Sequence, residues 1–136
     1  MKVLLDTNVI LDVLLKREPF FADSYKVMKM STENAVECII SASAVTDIFY
    51  ILNRHFHDVN ICKTYIYKLI QLVSVSDVNA DDIQTALSID ISDFEDALVT
   101  GIAMKNKAEY IITRNVKDFD TKYIKILTPK DFTEQI

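Results

Sequence analysis

Glycine, proline, cysteine and histidine are nearly missing from this 136-residue chain, which has one glycine (Gly101), two prolines (Pro19 and Pro129), two cysteines, two histidines and no tryptophan. So little glycine and proline, beside a hydrophobic content of 50%, excludes a disordered or loop-dominated protein. One domain of ordinary size is expected, burying roughly 65–70% of the surface its unfolded chain exposes. Cys38 and Cys62 stand 24 positions apart, outside CxxC or zinc-ligand spacing, and read as free buried thiols. His55 and His57 form an HxH beside Asp58 at a helix end, which reads as surface rather than zinc site. No apolar run approaches the ~18 residues of a membrane span. The first run stops at Asp6, too early for a signal-peptide core, so the expectation is a cytoplasmic protein without membrane contact.

An excess of positive charge is also lacking. The net charge of −5 argues against binding polyanions by bulk electrostatics. Its distribution is uneven. Asp77 to Asp96 holds seven acids and no Lys or Arg, whereas Lys105 to Lys130 holds seven bases against three acids. Such asymmetry fits a cation site beside a phosphate-facing flank, or simply two solvated faces of opposite sign.

What is present is organised around Lys2 to Leu15, KVLLDTNVILDVLL. Val3-Leu4-Leu5 is the short continuous apolar run of a strand buried on both faces. Thr7 and Asn8 are good cap types for the helix that follows, with Val9, Ile10, Val13 and Leu14 at helical spacing. Asp6 therefore stands at the carboxyl end of the first strand, the edge where open α/β sheets bind ligands. A buried acid there must be hydrogen-bonded, paired or metal-bound, and after Asp6 no cation comes before Lys16.

The same alternation continues. Phe20 to about Met30 reads as a second helix forming a hairpin with the first, and Cys38-Ile39-Ile40 as the second strand. Ser41 or Ser43 caps a helix carrying Val45, Ile48, Phe49, Leu52 and Phe56 on one face, and another helix spans Val59 to Leu72. Val73 to Val78 alternates as an edge strand. Helices follow from Asn79 and from Ser92 or Asp93, then strands at Tyr110–Ile112 and Ile124–Leu127, and Pro129 starts a last helical turn. Five short strands separated by helices predict an α/β fold, a parallel sheet with right-handed crossovers and helices on both sides.

That topology gathers acids. Asp6, Asp47, Asn115 and Asp118 all follow strands, and Asp96 begins a helix running antiparallel to the next strand, so it starts at the same edge. Carboxylates without a nearby Ser/His or Cys/His pair suit a hard divalent cation, Mg²⁺ or Mn²⁺, held through oxygen. Such an ion can activate water for attack on a phosphodiester. An aspartyl-phosphate phosphatase needs DxDx(T/V), whereas this chain has Asp6-Thr7-Asn8. A receiver domain needs an acid pair after the first strand and an acceptor Asp after the third, and neither is present.

LLDTNVILDVLLKREPF, SASAVTDIFYIL, DFEDALVTGIA, YIITRNVKDF and ILTPKDF, in that order and over nearly the whole chain, closely resemble a bacterial PIN-domain protein of the toxin–antitoxin type. The resemblance implies one PIN domain over residues 1–136, a three-layer α/β/α sandwich around the five-stranded parallel sheet. It also implies metal-dependent cleavage of RNA, and often a homodimer and an antitoxin partner. Carried over by position, Asp6 and Asp96 match metal-binding acids, Asp47 stands where the family usually has Glu, and Asn8 matches the Asn of the opening DTN. Asn115 stands where many members have a fourth acid, a duty Asp118 is placed to take over. Asn8, Thr113 and Arg114 are candidate substrate contacts, and Arg54, Lys105 and Lys117 further candidates for phosphate. The shorter Asp47 and the uncharged Asn115 leave a second possibility, a weak or inactive PIN-fold module that binds RNA or protein.

Every acid also has a structural alternative. Asp6 can simply bond the backbone of Thr7 or Asn8. Ser92 and Glu95 form a capping box, Asp93 and Asp96 suit the helix dipole, and Asp118 suits a surface cap. Asp47 can be a solvated first-turn acid, and Asp12 reads as an exposed helix acid rather than a ligand.

Overall fold

A computed structural model describes residues 1–136. The apolar runs become strands β1 (Lys2–Leu5), β2 (Glu37–Ser41), β3 (Ser74–Ser76), β4 (Tyr110–Ile112) and β5 (Lys125–Leu127) of one sheet, ordered β3-β2-β1-β4-β5. Every pairing is parallel, Leu4 lying beside Ile39 on one side and Ile111 on the other. Strand order reverses at β1, because β2 and β3 extend the sheet one way and β4 and β5 the other.

Seven helices cover it: α1 (Thr7–Leu14), α2 (Phe21–Thr32), α3 (Ala42–Phe56), α4 (Val59–Leu72), α5 (Ala80–Ser88), α6 (Phe94–Lys105) and α7 (Pro129–Gln135). Alternate strand residues go to opposite layers. Val3, Leu5, Cys38, Ile40 and Ile112 pack with α1–α4 and with Phe132 of α7, while Leu4, Ile111 and Ile126 pack against α5 and α6. A one-residue slip of any strand would exchange these faces, so both layers together hold the register. Cys38 and Cys62 are free and fully buried, and burial pushes the Cys38 thiol up to about 11.

The boundaries follow capping chemistry. Asp6 itself, rather than Thr7 or Asn8, is the N-cap of α1, accepting from the Thr7 N–H, and Ser41, Asp58, Asn79 and Thr128 cap α3 to α5 and α7 in the same way. The expected Ser92–Glu95 capping box does not form. α6 begins one residue later, and Asp93 caps it by accepting from the Asp96 N–H. The edge strand is confined to Ser74–Ser76, and α7 runs for seven residues rather than one turn. With a single glycine, the chain makes its left-handed turns with Lys16, Asn34, His57 and Lys107, so His57 is a helix terminator.

Gly101 lies inside α6 where α5 crosses it. A Cβ added there would meet the Thr85 methyl at 3.4 Å and Ile89 at 3.6 Å, ordinary contact distances. Gly101→Ala should therefore stabilise the protein by about 0.5–1 kcal/mol through lower unfolded-chain entropy. Urea denaturation checks this, and a loss of stability would mean that the two helices cannot yield.

Candidate metal and phosphodiester site

The site is built at the carboxyl edge, where strand order reverses between β1 and β4. Asp6 ends β1, and its N–H donates to the Ile112 carbonyl of β4 at 3.0 Å. The side chain is held from three directions. Oδ1 accepts from the Thr7 N–H at 2.8 Å, and Oδ2 accepts from the Thr113 hydroxyl at 2.8 Å and from the Asn8 amide at 3.1 Å. Thr113 is fully buried, and its Oγ1 also accepts from the Asn115 N–H at 3.0 Å. Asn8 in turn accepts from the Arg114 N–H at 3.3 Å. Thr113 and Asn8 therefore position Asp6. Thr113, named among the candidate substrate contacts, is enclosed here, with its hydroxyl given to Asp6.

α6 and α3 bring in the other acids. Asp96 in the first turn of α6 is half-buried, and no hydrogen bond reaches its carboxylate; only its backbone N–H and C=O are engaged, by Asp93 and Thr100. Burial, joined by the charges of Asp93, Asp6, Asp118 and Glu95, pushes its carboxyl up to about 7. Asp6 is also raised, chiefly by burial, against the opposing pull of its three hydrogen bonds. Glu95 is raised by burial and by a hydrogen bond with Asp47. It is the residue that sequence reasoning left out of the cluster, having been assigned to a capping box with Ser92. The signal was its place beside Asp96 at the start of α6. Asp47 and Asp118 are exposed at the rim, Asp118 close enough to raise both Asp6 and Asp96. Asn115 is exposed, and its side chain caps nothing.

Two expectations fail. Asp12 is fully buried, not exposed, and accepts from Arg114 Nε at 2.7 Å and Nη2 at 3.2 Å. That guanidinium also lies over the Phe20 ring, 3.9 Å from its centre. Lys105 is bound to Asp82 at 2.8 Å and to Asp77, at the far end of α6. Nine residues of helix separate it from Asp96, about 13 Å, so it does not face the site. Arg54 lies over the Tyr50 ring in α3. The largest surface groove, about 920 Å³, runs past Lys2, Glu37 and Ser74 at the opposite, amino edge of the sheet.

The model of the PIN domain matches residues 2–117, which span every residue of this constellation except Asp118. The chain belongs to the PIN-domain family. As a PIN domain it is 23% identical over 139 residues to ribonuclease VapC1 of Aquifex aeolicus, covering 98% of this chain and 94% of that protein. Its fold is similar to that of the DNA-bound VapBC of Salmonella typhimurium, with a TM-score of 0.71 and 16% identity over 95% of this chain and 98% of the other. A toxin–antitoxin complex from Klebsiella pneumoniae is comparable, with a TM-score of 0.69 and 18% identity over 93% and 97%.

The residues gathered in this PIN domain fit a hard divalent cation. All the donors are carboxylate or amide oxygens, and no Lys or Arg pairs with Asp6, Asp47, Glu95, Asp96 or Asp118. Their mutual repulsion, visible in the raised Asp96, is what a doubly charged ion would relieve. No three of these side chains converge closely enough to hold an ion by themselves. That is unlike a closed zinc cage and suits Mg²⁺, which keeps several waters and takes one or two carboxylates.

The raised carboxyls give a signed pH effect in metal-free protein. An unfolded Asp loses its proton near pH 4, while folded Asp96 holds it to about 7. The folded state thus binds more protons across that window, and stability falls as pH rises through it. Asp82, lowered by its bond to Lys105, works the other way, and its contribution is lost only as pH falls below about 4. The melting temperature in chelator should peak near pH 5 and decline toward pH 8. A curve flat over that range would remove the electrostatic account of Asp96.

Proposed function

We propose that the protein is a metal-dependent endoribonuclease and acts in the cytoplasm as the toxin of a toxin–antitoxin pair. The observation that carries this is the placing of Asp6 and Asp96, unpaired with any cation, at the point where strand order reverses in a PIN domain. Asp6 and Asp96 would hold the ion, with Asp47, Glu95, Asp118 and the Asn115 carbonyl around the rim. When bound, Mg²⁺ or Mn²⁺ would supply an activated water and neutralise charge on the phosphodiester. The reaction is hydrolysis: a water oxygen joins phosphorus, one ester P–O bond breaks, and the departing oxygen receives a proton.

The chain's own groups prepare this. Thr113, Asn8 and the Thr7 N–H hold Asp6 in one orientation as an acceptor, and the N-termini of α1 and α6 place positive helix-dipole ends beside the acids. Asp96, its carboxyl pushed up to about 7 by burial and the neighbouring acids, would give up a proton on holding the cation. Relatives in toxin–antitoxin complexes support an antitoxin partner, and the exposed Tyr50, Tyr67 and Leu87 offer apolar area for it or for a homodimer.

Incubating purified protein with RNA in Mn²⁺, in Mg²⁺ and in chelator tests the proposal, with cutting expected only in metal. A second reading, an inactive PIN-fold module, is favoured by Asn115 in place of an acid and by the short Asp47. Calorimetric titration with Mn²⁺ separates the two, since a module binds no metal at millimolar concentration.

A further inference from the structure

Beside Arg114, a pocket of about 570 Å³ opens between the start of α2 and the junction of β5 with α7. That is the size of small-ligand sites. Phe20, Asp23, Ser24, Arg114, Thr128 and Lys130 line it. The Ser24 hydroxyl is fully buried and has no hydrogen-bond partner, a destabilising arrangement unless something else supplies one. It is the single buried side-chain polar atom of the protein left in that state. Asp23 is half-buried, and neither its carboxylate nor the Lys130 ammonium has a partner among the ion pairs or side-chain hydrogen bonds. Arg114 gives Nε and Nη2 to Asp12, leaving Nη1 free. The pocket thus combines a guanidinium–aromatic stack, a free carboxylate and two cationic donors, with the unpartnered Ser24 hydroxyl buried in its wall.

We infer that this pocket binds one nucleotide of the RNA strand next to the scissile phosphate, and that it prefers guanine. The inference rests on the ribonuclease reading and adds a substrate preference to it. Lys130 and Arg114 Nη1 suit a phosphate, which positions the strand. The stacked Arg114 and Phe20 suit a nucleobase face, as single-stranded RNA is commonly held. Asp23 then decides between bases. Guanine alone presents two adjacent N–H donors, which a carboxylate accepts as a pair. Uracil offers one donor between two carbonyls, and adenine and cytosine set an acceptor beside the amino group, opposite the negative charge. The neighbouring-nucleotide position is inferred from the link to the acidic site: Arg114 follows Thr113, whose hydroxyl holds Asp6, and its own N–H donates to Asn8, which also holds Asp6.

Binding of the four nucleoside 5′-monophosphates to wild-type protein in chelator, followed by NMR, tests the pocket without relying on cleavage. Guanosine monophosphate should bind about tenfold tighter than the other three, the scale of one bidentate base contact. Asp23→Asn should erase that preference, and Lys130→Gln should weaken all four alike. In parallel, cut sites mapped on a mixed-sequence RNA in Mn²⁺ should lie beside guanosines, and Asp23→Asn should lower the ratio of cuts beside guanosine to cuts elsewhere. Equal or absent binding of the four overturns the proposal, as it would if the pocket served a protein side chain. Failure of wild-type protein to cut any RNA would overturn the nuclease reading instead, while the binding measurement still decides the pocket.

Discussion

Asp96→Asn is expected to abolish RNA cleavage and, in chelator at pH 8, to raise the melting temperature. The two effects share one cause. Above pH 7 the Asp96 carboxylate is a half-buried charge facing Asp93, Asp6, Asp118 and Glu95, without a hydrogen bond of its own. Asparagine has the same shape and no charge, so the repulsion disappears with the ability to bind a cation. Activity should drop on the order of a thousandfold, the scale of removing an electrostatic group from a reacting centre. Asp6→Asn should remove cleavage equally but shift stability the opposite way. Asp6 Oδ2 accepts from both Thr113 and Asn8, and Oδ1 from Thr7, so an amide must turn its NH₂ toward donors somewhere. Leaving such buried groups unsatisfied costs about 1–3 kcal/mol. Cleavage assays in Mn²⁺ beside thermal melts at pH 5 and pH 8 read both quantities. Cleavage that survives both substitutions would remove the proposed site, and a destabilised Asp96→Asn at pH 8 would remove the repulsion.

The second large effect is structural. Arg114→Ala should destabilise the protein by about 3–5 kcal/mol, because it strands a fully buried carboxylate. Asp12 has no other partner. Asp12→Leu combined with Arg114→Met should recover most of the loss, since apolar replacement of a whole buried ion pair is often neutral. Stability regained in urea denaturation should not bring full activity with it, because the double variant also removes the guanidinium inferred above to meet a phosphate of the RNA strand. Single-site losses below about 1 kcal/mol would place the pair in effectively solvated surroundings.

Much of this protein is legible in its residues alone. Four of the five strand segments lead to a capping side chain, Asp6, Ser41, Asn79 or Thr128, which separates strand from helix by local chemistry. Chain order and right-handed crossovers then place Asp6 and the start of α6 at one edge. Where the sequence misled, the deciding contact was remote. Asp12 has the periodicity of a solvent-facing helix position, yet it is buried by an arginine 102 residues away. Glu95 looks like one more acid at a helix start, and only the approach of Asp47 on α3 draws it into the cluster. Thr113 carries no local mark of a partner for Asp6, 107 residues distant. Periodicity and capping energies arise within a few residues and can be read along the chain. Which polar side chains meet, and which charges are left without a partner, depends on how the two layers close over the sheet, and tertiary structure alone decided it.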